Sequence, residues 1–184
     1  MERIVRAAAP WVDSTGAVLD PYYKAEYGQT TPRFVSSAAI LLKFGYIKDL
    51  KEKVFRAMTY SCSRLSGGMA ESPDFWMREL TTAYYCLQPI ADTQLVLRWQ
   101  GLLRRVDPEN VYKVVSKSGE GMENLHNWAV YSSGGEYVRQ ALGLTDPNNH
   151  SAPGAGFLRQ IYGAAAEPFY CRGDVPGPER PDHL

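Results

Sequence analysis

Between residues 31 and 106, apolar side chains recur three and four positions apart, and each run is cut by glycine or proline. That spacing belongs to the α-helix, and no stretch shows the alternation and hairpin turns of paired strands. Thr31 is placed to cap a helix whose first position is Pro32. Phe34, Val35, Ala38, Ala39, Leu41 and Leu42 form its apolar face, and Gly45 supplies its stop. A second helix over residues 48–65 aligns Leu50, Val54, Met58, Cys62 and Leu65 and ends at Gly67-Gly68. Ser72-Pro73-Asp74 opens a third, with Ser72 as cap, running through Phe75, Trp76, Leu80, Ala83, Tyr84 and Leu87 to Pro89. A fourth covers residues 92–106 and buries Leu95, Val96, Trp99, Leu102 and Leu103.

Around this block the pattern is looser. A short helix is expected up to Ala9, followed by an irregular segment over residues 10–31. A short helix through Tyr112 and Val115, a loop over 116–121 and a polar helix over 122–142 come after the fourth, and Gly143 is the stop. The fold expected is all-α, an αα-hairpin array with helices of roughly 12–20 residues. No fixed-period sequence repeat is present, which disfavours a regular solenoid. This helical domain spans 1–145. Residues 146–184 hold Pro147, Pro153, Pro168, Pro176, Pro178 and Pro181, half of the twelve prolines. They read as a partly disordered tail with one short helix near 157–166.

At 184 residues the chain is long enough for one domain with a full core. Twenty basic residues balance twenty acidic ones, which argues against a general binder of nucleic acid or anionic membrane. No apolar run approaches the roughly 20 residues needed to span a bilayer. Nothing at the start resembles a signal peptide, so the chain is expected to remain in the cell unless it is a mature or truncated form. Cys62, Cys86 and Cys171 have neither disulfide-framework nor zinc-ligand spacing, and Cys62 and Cys86 read as small buried hydrophobes. No metal or other cofactor is expected. Twelve tyrosines and four tryptophans are many amphipathic rings for this length, and such rings line polar clefts as well as cores.

Three constellations carry chemistry. In the first, Asp20-Pro21-Tyr22-Tyr23-Lys24-Ala25-Glu26-Tyr27, carboxylates and rings alternate around a stiff turn. It reads either as one wall of a sugar cleft or as a surface loop anchored by tyrosines. Arg33, in the first turn of its helix, is badly placed for the helix dipole; an ion pair with Glu26, a bound carboxylate or simple exposure would account for it. The second is the polar helix bearing Asn124, His126, Asn127, Trp128, Tyr131, Glu136 and Arg139. Asn127 and Trp128 suit a polar, ring-shaped ligand; Trp128 equally suits a core, and Glu136 with Arg139 suits a local ion pair. Gly134-Gly135 costs about 1 kcal/mol per residue relative to alanine and points to close helix packing, a kink or backbone approach to a ligand. The third is Asn148-Asn149-His150, either a uronate contact or a solvated turn.

The order Asp20-Pro21-Tyr22, Glu26, Thr30-Thr31-Pro32-Arg33-Phe34, Asn127-Trp128, Gly135-Glu136, Arg139 and Gly143-Leu144 resembles the amino-terminal half of (α/α)-toroid polysaccharide lyases of the heparinase, chondroitinase and alginate lyase kind. It spans roughly residues 10–150. The resemblance implies β-elimination on a uronate-containing glycan. Asn127 and His126 would neutralise the carboxylate, and Tyr131, four residues on, would be the base. Asp20, Tyr22, Glu26, Arg33, Trp128, Glu136, Arg139 and His150 would bind the substrate. A closed toroid has about twice as many helices as can be read here, so a partial toroid is expected, with exposed apolar helix faces that favour a homodimer. The expected partner is an acidic polysaccharide or oligosaccharide. The alternatives are a non-catalytic helical module binding glycan or protein, and a glycoside hydrolase using Asp20 or Glu26.

Overall fold

The computed structural model describes residues 1–107, 111 and 127–145, without the side chains of residues 127–130, 132 and 133. The helix expected through Tyr112, the loop over 116–121 and the 146–184 tail lie outside the described residues. Among the described residues the backbone forms six α-helices: α1 (Glu2–Ala8), α2 (Thr30–Lys43), α3 (Lys51–Ser66), α4 (Pro73–Leu87), α5 (Thr93–Arg104) and α6 (Asn127–Ala141). Two single 3-10 turns flank helices directly: Ala9–Trp11 follows α1, and Lys48–Leu50 leads into α3. The only extended pairings among these residues are isolated bridges, Val12 to Val18 and Leu19 to Glu26. The chain is therefore all-α, as its apolar spacing predicts.

The helix boundaries follow local chemistry. Asp92 caps α5 by accepting a hydrogen bond from Leu95 N at 2.9 Å. Gly45 and Gly143 take φ of 82° and 66°, the left-handed conformation that ends a helix cheaply only at glycine. Two expected caps differ. Ser72 precedes α4 but adopts φ 49° and makes no side-chain capping bond. Thr31 lies inside α2, fully buried. Its hydroxyl accepts from Val18 N at 3.0 Å and donates to the Glu26 carboxylate. A nearby carboxylate has recruited that hydroxyl, and the helix begins at Thr30, two residues before the Pro32 start that the capping pattern indicates.

α2 and α4 run side by side in parallel. Gly28 meets Glu71, and Ser36 donates to Glu79, each pair 43 positions apart. Towards the far end, Lys43 lies over the Tyr85 ring at 4.0 Å. α3 returns in the opposite sense, so that Tyr60, in its second half, reaches Glu26 ahead of α2. Both parallel helices open on kindred words, Thr31-Pro32-Arg33-Phe34 and Ser72-Pro73-Asp74-Phe75. Both phenylalanines are buried, Phe34 within the core and Phe75 against the Tyr131 ring of α6.

The core runs along the contact of α2, α3 and α4 through Val35, Ala38, Met58, Leu65, Met77 and Leu80, all fully buried. Each of the larger ones, Val35, Met58, Leu65, Met77 and Leu80, contributes about 1.5–3 kcal/mol by leaving water. α5 joins through Trp99, whose ring meets Phe55 edge-on at 5.5 Å and whose indole N–H donates to Thr59 Oγ1 at 2.8 Å. α6 packs on α4 at Gly135, where a Cβ would lie 2.9 Å from Arg78 N. Close helix packing is thus the reason for this glycine. Cys62 and Cys86 are buried, and burial pushes both thiols above their ordinary range, leaving them unreactive.

Candidate functional site

The parallel pairing of α2 and α4 puts two helix N-termini next to each other. Between them lies a cleft of about 400 Å³ lined by Tyr27, Gly28, Gln29, Thr30, Arg33, Glu71 and Ser72. Its volume falls in the range of small-molecule sites, and its lining is more polar than most. Tyr27 is 78% exposed and offers a free ring. Glu71 Oε2 accepts from Gly28 N at 3.1 Å, which ties the loop before α2 to the loop before α4. Arg33 is exposed and makes no ion pair among the described residues. No acidic residue follows in the first turn of α2, whereas α4 carries Asp74 there. A cation at the positive end of a helix dipole is unfavourable by itself, and an anion beside it relieves both charges.

A smaller recess of about 100 Å³ adjoins this cleft, sharing Gly28 and Glu71 and adding Glu26, Arg64 and Trp76. Glu26 is held from two sides: its carboxylate accepts from Thr31 and, at 2.7 Å, from Tyr60 OH. Burial foremost, then this bond to Glu26, pushes the Tyr60 hydroxyl up to about 12. Tyr60 therefore remains a proton donor and no base near neutrality. Trp76 Nε1 and Arg64 Nε are buried without a hydrogen-bond partner, as is Gln29 Oε1 at the outer cleft. Unsatisfied buried groups of this kind are rare and mark places where a partner belongs.

The expected site residues separate into groups. Glu26 and Arg33 come to the cleft and its recess. Asp20 and Tyr22 do not line either: Asp20 Oδ1 accepts from Tyr22 N and Tyr23 N at 2.8 Å each, and the two rings stack edge-on at 4.9 Å, with Tyr22 84% exposed. Tyr131 packs on Phe75 at 4.5 Å between ring centres, with the Arg78 guanidinium 4.7 Å from its ring. It thus touches the first turn of α4, whose preceding residue, Ser72, lines the cleft. Asn127 and Trp128 begin α6, their side chains outside the described residues, and His126 and His150 lie outside them altogether.

Glu136 and Arg139 are different. Both are 0% exposed. Arg139 Nη1 donates to both Glu136 oxygens at 3.0 Å, Nη2 donates to the carbonyls of Val106 at 2.7 Å and Arg104 at 3.3 Å, and Nε to Leu144 O at 3.2 Å. The expectation that this pair contacts a glycan gives way to the local ion pair: the guanidinium is enclosed and engaged on all three nitrogens. It clasps the end of α5 to the end of α6.

No family model, curated protein or solved structure matches the chain. The site therefore rests on its own geometry. Among the described residues, no cluster of three or more His, Cys, Asp or Glu is arranged to hold a metal ion. No helix among them is long and apolar enough to cross a membrane. Glu71, Arg64 and Trp76 were not singled out by sequence reasoning as ligand contacts. The nearest signal was the repeated use of Thr/Ser-Pro at two helix starts, which, once the helices are known to be parallel, brings their preceding loops together.

Proposed function

We propose that the α2–α4 cleft binds an acidic saccharide, with Arg33 receiving a carboxylate and the Tyr27 ring serving as a platform for a sugar face. The supporting observation is an exposed arginine with no ion pair among the described residues, set beside an exposed tyrosine in a polar cleft of about 400 Å³. Arginine suits this task because its planar fork matches a carboxylate, and such charge-assisted bonds are about twice as strong as neutral ones. The polar lining matches the hydroxyls of a sugar better than an apolar ligand. Within this reading, the alternating α2, α3 and α4 are the beginning of a partial (α/α) toroid.

The test is calorimetric titration of a uronate oligosaccharide into the intact chain and into Arg33→Ala. The variant should bind at least about tenfold more weakly, the loss of one charge-assisted contact. Equal affinities would remove Arg33 from the site and the reading with it.

A second reading, elimination at the uronate, is favoured by the packing of Tyr131 on Phe75 in the first turn of α4, beside the cleft-lining Ser72. Asn127, one turn earlier on α6, would then neutralise the carboxylate. Incubation with uronate polysaccharides would produce the near-ultraviolet absorbance of an unsaturated uronate, and Tyr131→Phe would abolish it. Saturable binding without absorbance would leave a binding module.

A further inference from the structure

α2 and α4 both carry a hydroxyl residue followed by proline at their start, and the two hydroxyls have different fates. Thr31, before Pro32, lies inside α2 and is fully buried. Its hydroxyl accepts from Val18 N at 3.0 Å and donates to the Glu26 carboxylate. Ser72, before Pro73, is half-buried, lines the cleft and makes no side-chain hydrogen bond among the described residues. Its backbone is a second anomaly. Ser72 takes φ 49° and ψ 57°, the left-handed region that residues with a Cβ rarely adopt. The proline after it should push it towards extended backbone, because the ring crowds the N–H and Cβ of the preceding residue. Extended backbone is also what a capping residue needs: Asp92, with φ −68° and ψ 156°, reaches Leu95 N. Ser72 thus gives up the cap of α4 for a conformation that glycine would adopt freely. What serine keeps and glycine lacks is the hydroxyl. Backbone outliers of this kind concentrate at ligand contacts, where the surrounding structure holds them.

We propose that Ser72 is a specificity-determining residue of the α2–α4 cleft. Its left-handed backbone withholds the hydroxyl from the start of α4 and leaves it to hydrogen-bond a hydroxyl group of the bound saccharide. The inference rests on the saccharide reading above and adds a contact from the α4 side to the Arg33 contact from α2. Arg33 selects for charge, and Ser72 distinguishes a sugar hydroxyl from a hydrogen in its place. A serine hydroxyl both donates and accepts, so it pairs with a sugar hydroxyl in either sense.

The experiment titrates a uronate disaccharide into two variants of the intact chain by calorimetry and melts the same samples. Ser72→Gly removes the hydroxyl and suits the backbone; Ser72→Ala removes the hydroxyl and keeps the Cβ. Both should bind about three- to tenfold more weakly than the native chain, the loss of one neutral hydrogen bond. Ser72→Gly should nonetheless melt at or above the native temperature, and above Ser72→Ala. A set of monodeoxy disaccharides completes the cycle. The one lacking the contacted hydroxyl should bind the native chain and Ser72→Gly alike. Native affinity in both variants, or a native preference over Ser72→Gly that persists for every monodeoxy ligand, overturns the role of Ser72. Unchanged uronate affinity in Arg33→Ala sinks the saccharide reading instead, so the two failures are distinguishable. No binding by the native chain removes both.

Discussion

Two arginines, each within a turn of a helix end, show how the same side chain serves opposite purposes. Arg139 is in the last turn of α6, where a cation is favoured by the dipole, and it is sealed from water with Glu136 and three backbone carbonyls. Arg33 is in the first turn of α2, where the dipole disfavours it, and it is exposed without an ion pair among the described residues. The donors of Arg139 are occupied by the protein itself, whereas Arg33 lines the cleft. The first arrangement is one of stability; the second is what a ligand site requires. Position on the helix alone does not separate them, since the burial of Arg139 depends on α5 and on the turn after α6.

The largest effect should come from breaking the enclosed member. Arg139→Ala leaves the Glu136 carboxylate buried without its guanidinium and takes donors from the carbonyls of Arg104, Val106 and Leu144. The expected loss is about 3–5 kcal/mol, the usual cost of removing one partner of a buried pair. A urea titration should show it as a lowered midpoint with an unchanged slope. Replacing both charges together, Glu136→Leu with Arg139→Met, should recover part of the loss and not all, because the three carbonyls still lack donors. A loss below about 1 kcal/mol in the single variant would place the pair among surface-like ion pairs and dissolve the contrast with Arg33.

Gly135 adjoins Glu136 and sharpens the same contrast through packing. In Gly135→Ala the new Cβ meets Arg78 N at 2.9 Å and the Met77 side chain at 3.2 Å. α6 must then move off α4, at a cost of about 1–3 kcal/mol despite alanine's better helix propensity. Gly134, with nothing within 4 Å of its added Cβ, is the control. Gly134→Ala should be neutral or gain up to about 1 kcal/mol. Equal melting temperatures for the two variants would remove the close approach of α6 to α4.

The sequence carried the helices well because their signals are local. The apolar faces from Phe34 to Leu42 and from Val54 to Leu65 and the Gly45 and Gly143 stops each depend on a few neighbouring residues. Thr31 shows where locality ends: its hydroxyl can satisfy a helix or a carboxylate, and Glu26, brought near by the intervening loop, takes it. The same holds for the site. Glu26 was legible as a carboxylate in an irregular, tyrosine-rich segment, and Arg33 as a cation badly placed in the first turn of its helix. Glu71, Arg64 and Trp76 join them only because α2 and α4 are parallel and α3 is opposed to both, a pairing across 43 positions that no short spacing announces. Trp76 was legible as a position on the third helix, and the structure buries it in the core. Its unpaired N–H is visible only when the residues around it are known.

The smallest effect on stability belongs to Arg33, and it is the most discriminating. An exposed side chain without an ion pair among the described residues contributes little to folding, and truncating it relieves an unfavourable dipole interaction. Arg33→Ala should therefore unfold within about 0.5 kcal/mol of the native chain. Its uronate affinity should nonetheless fall at least about tenfold. The two numbers must be measured on one preparation, because their divergence is the point. A variant that loses both stability and binding would make Arg33 a second structural arginine like Arg139. A variant that keeps both would leave the cleft without its cation and the dipole of α2 without a purpose for the charge at its start.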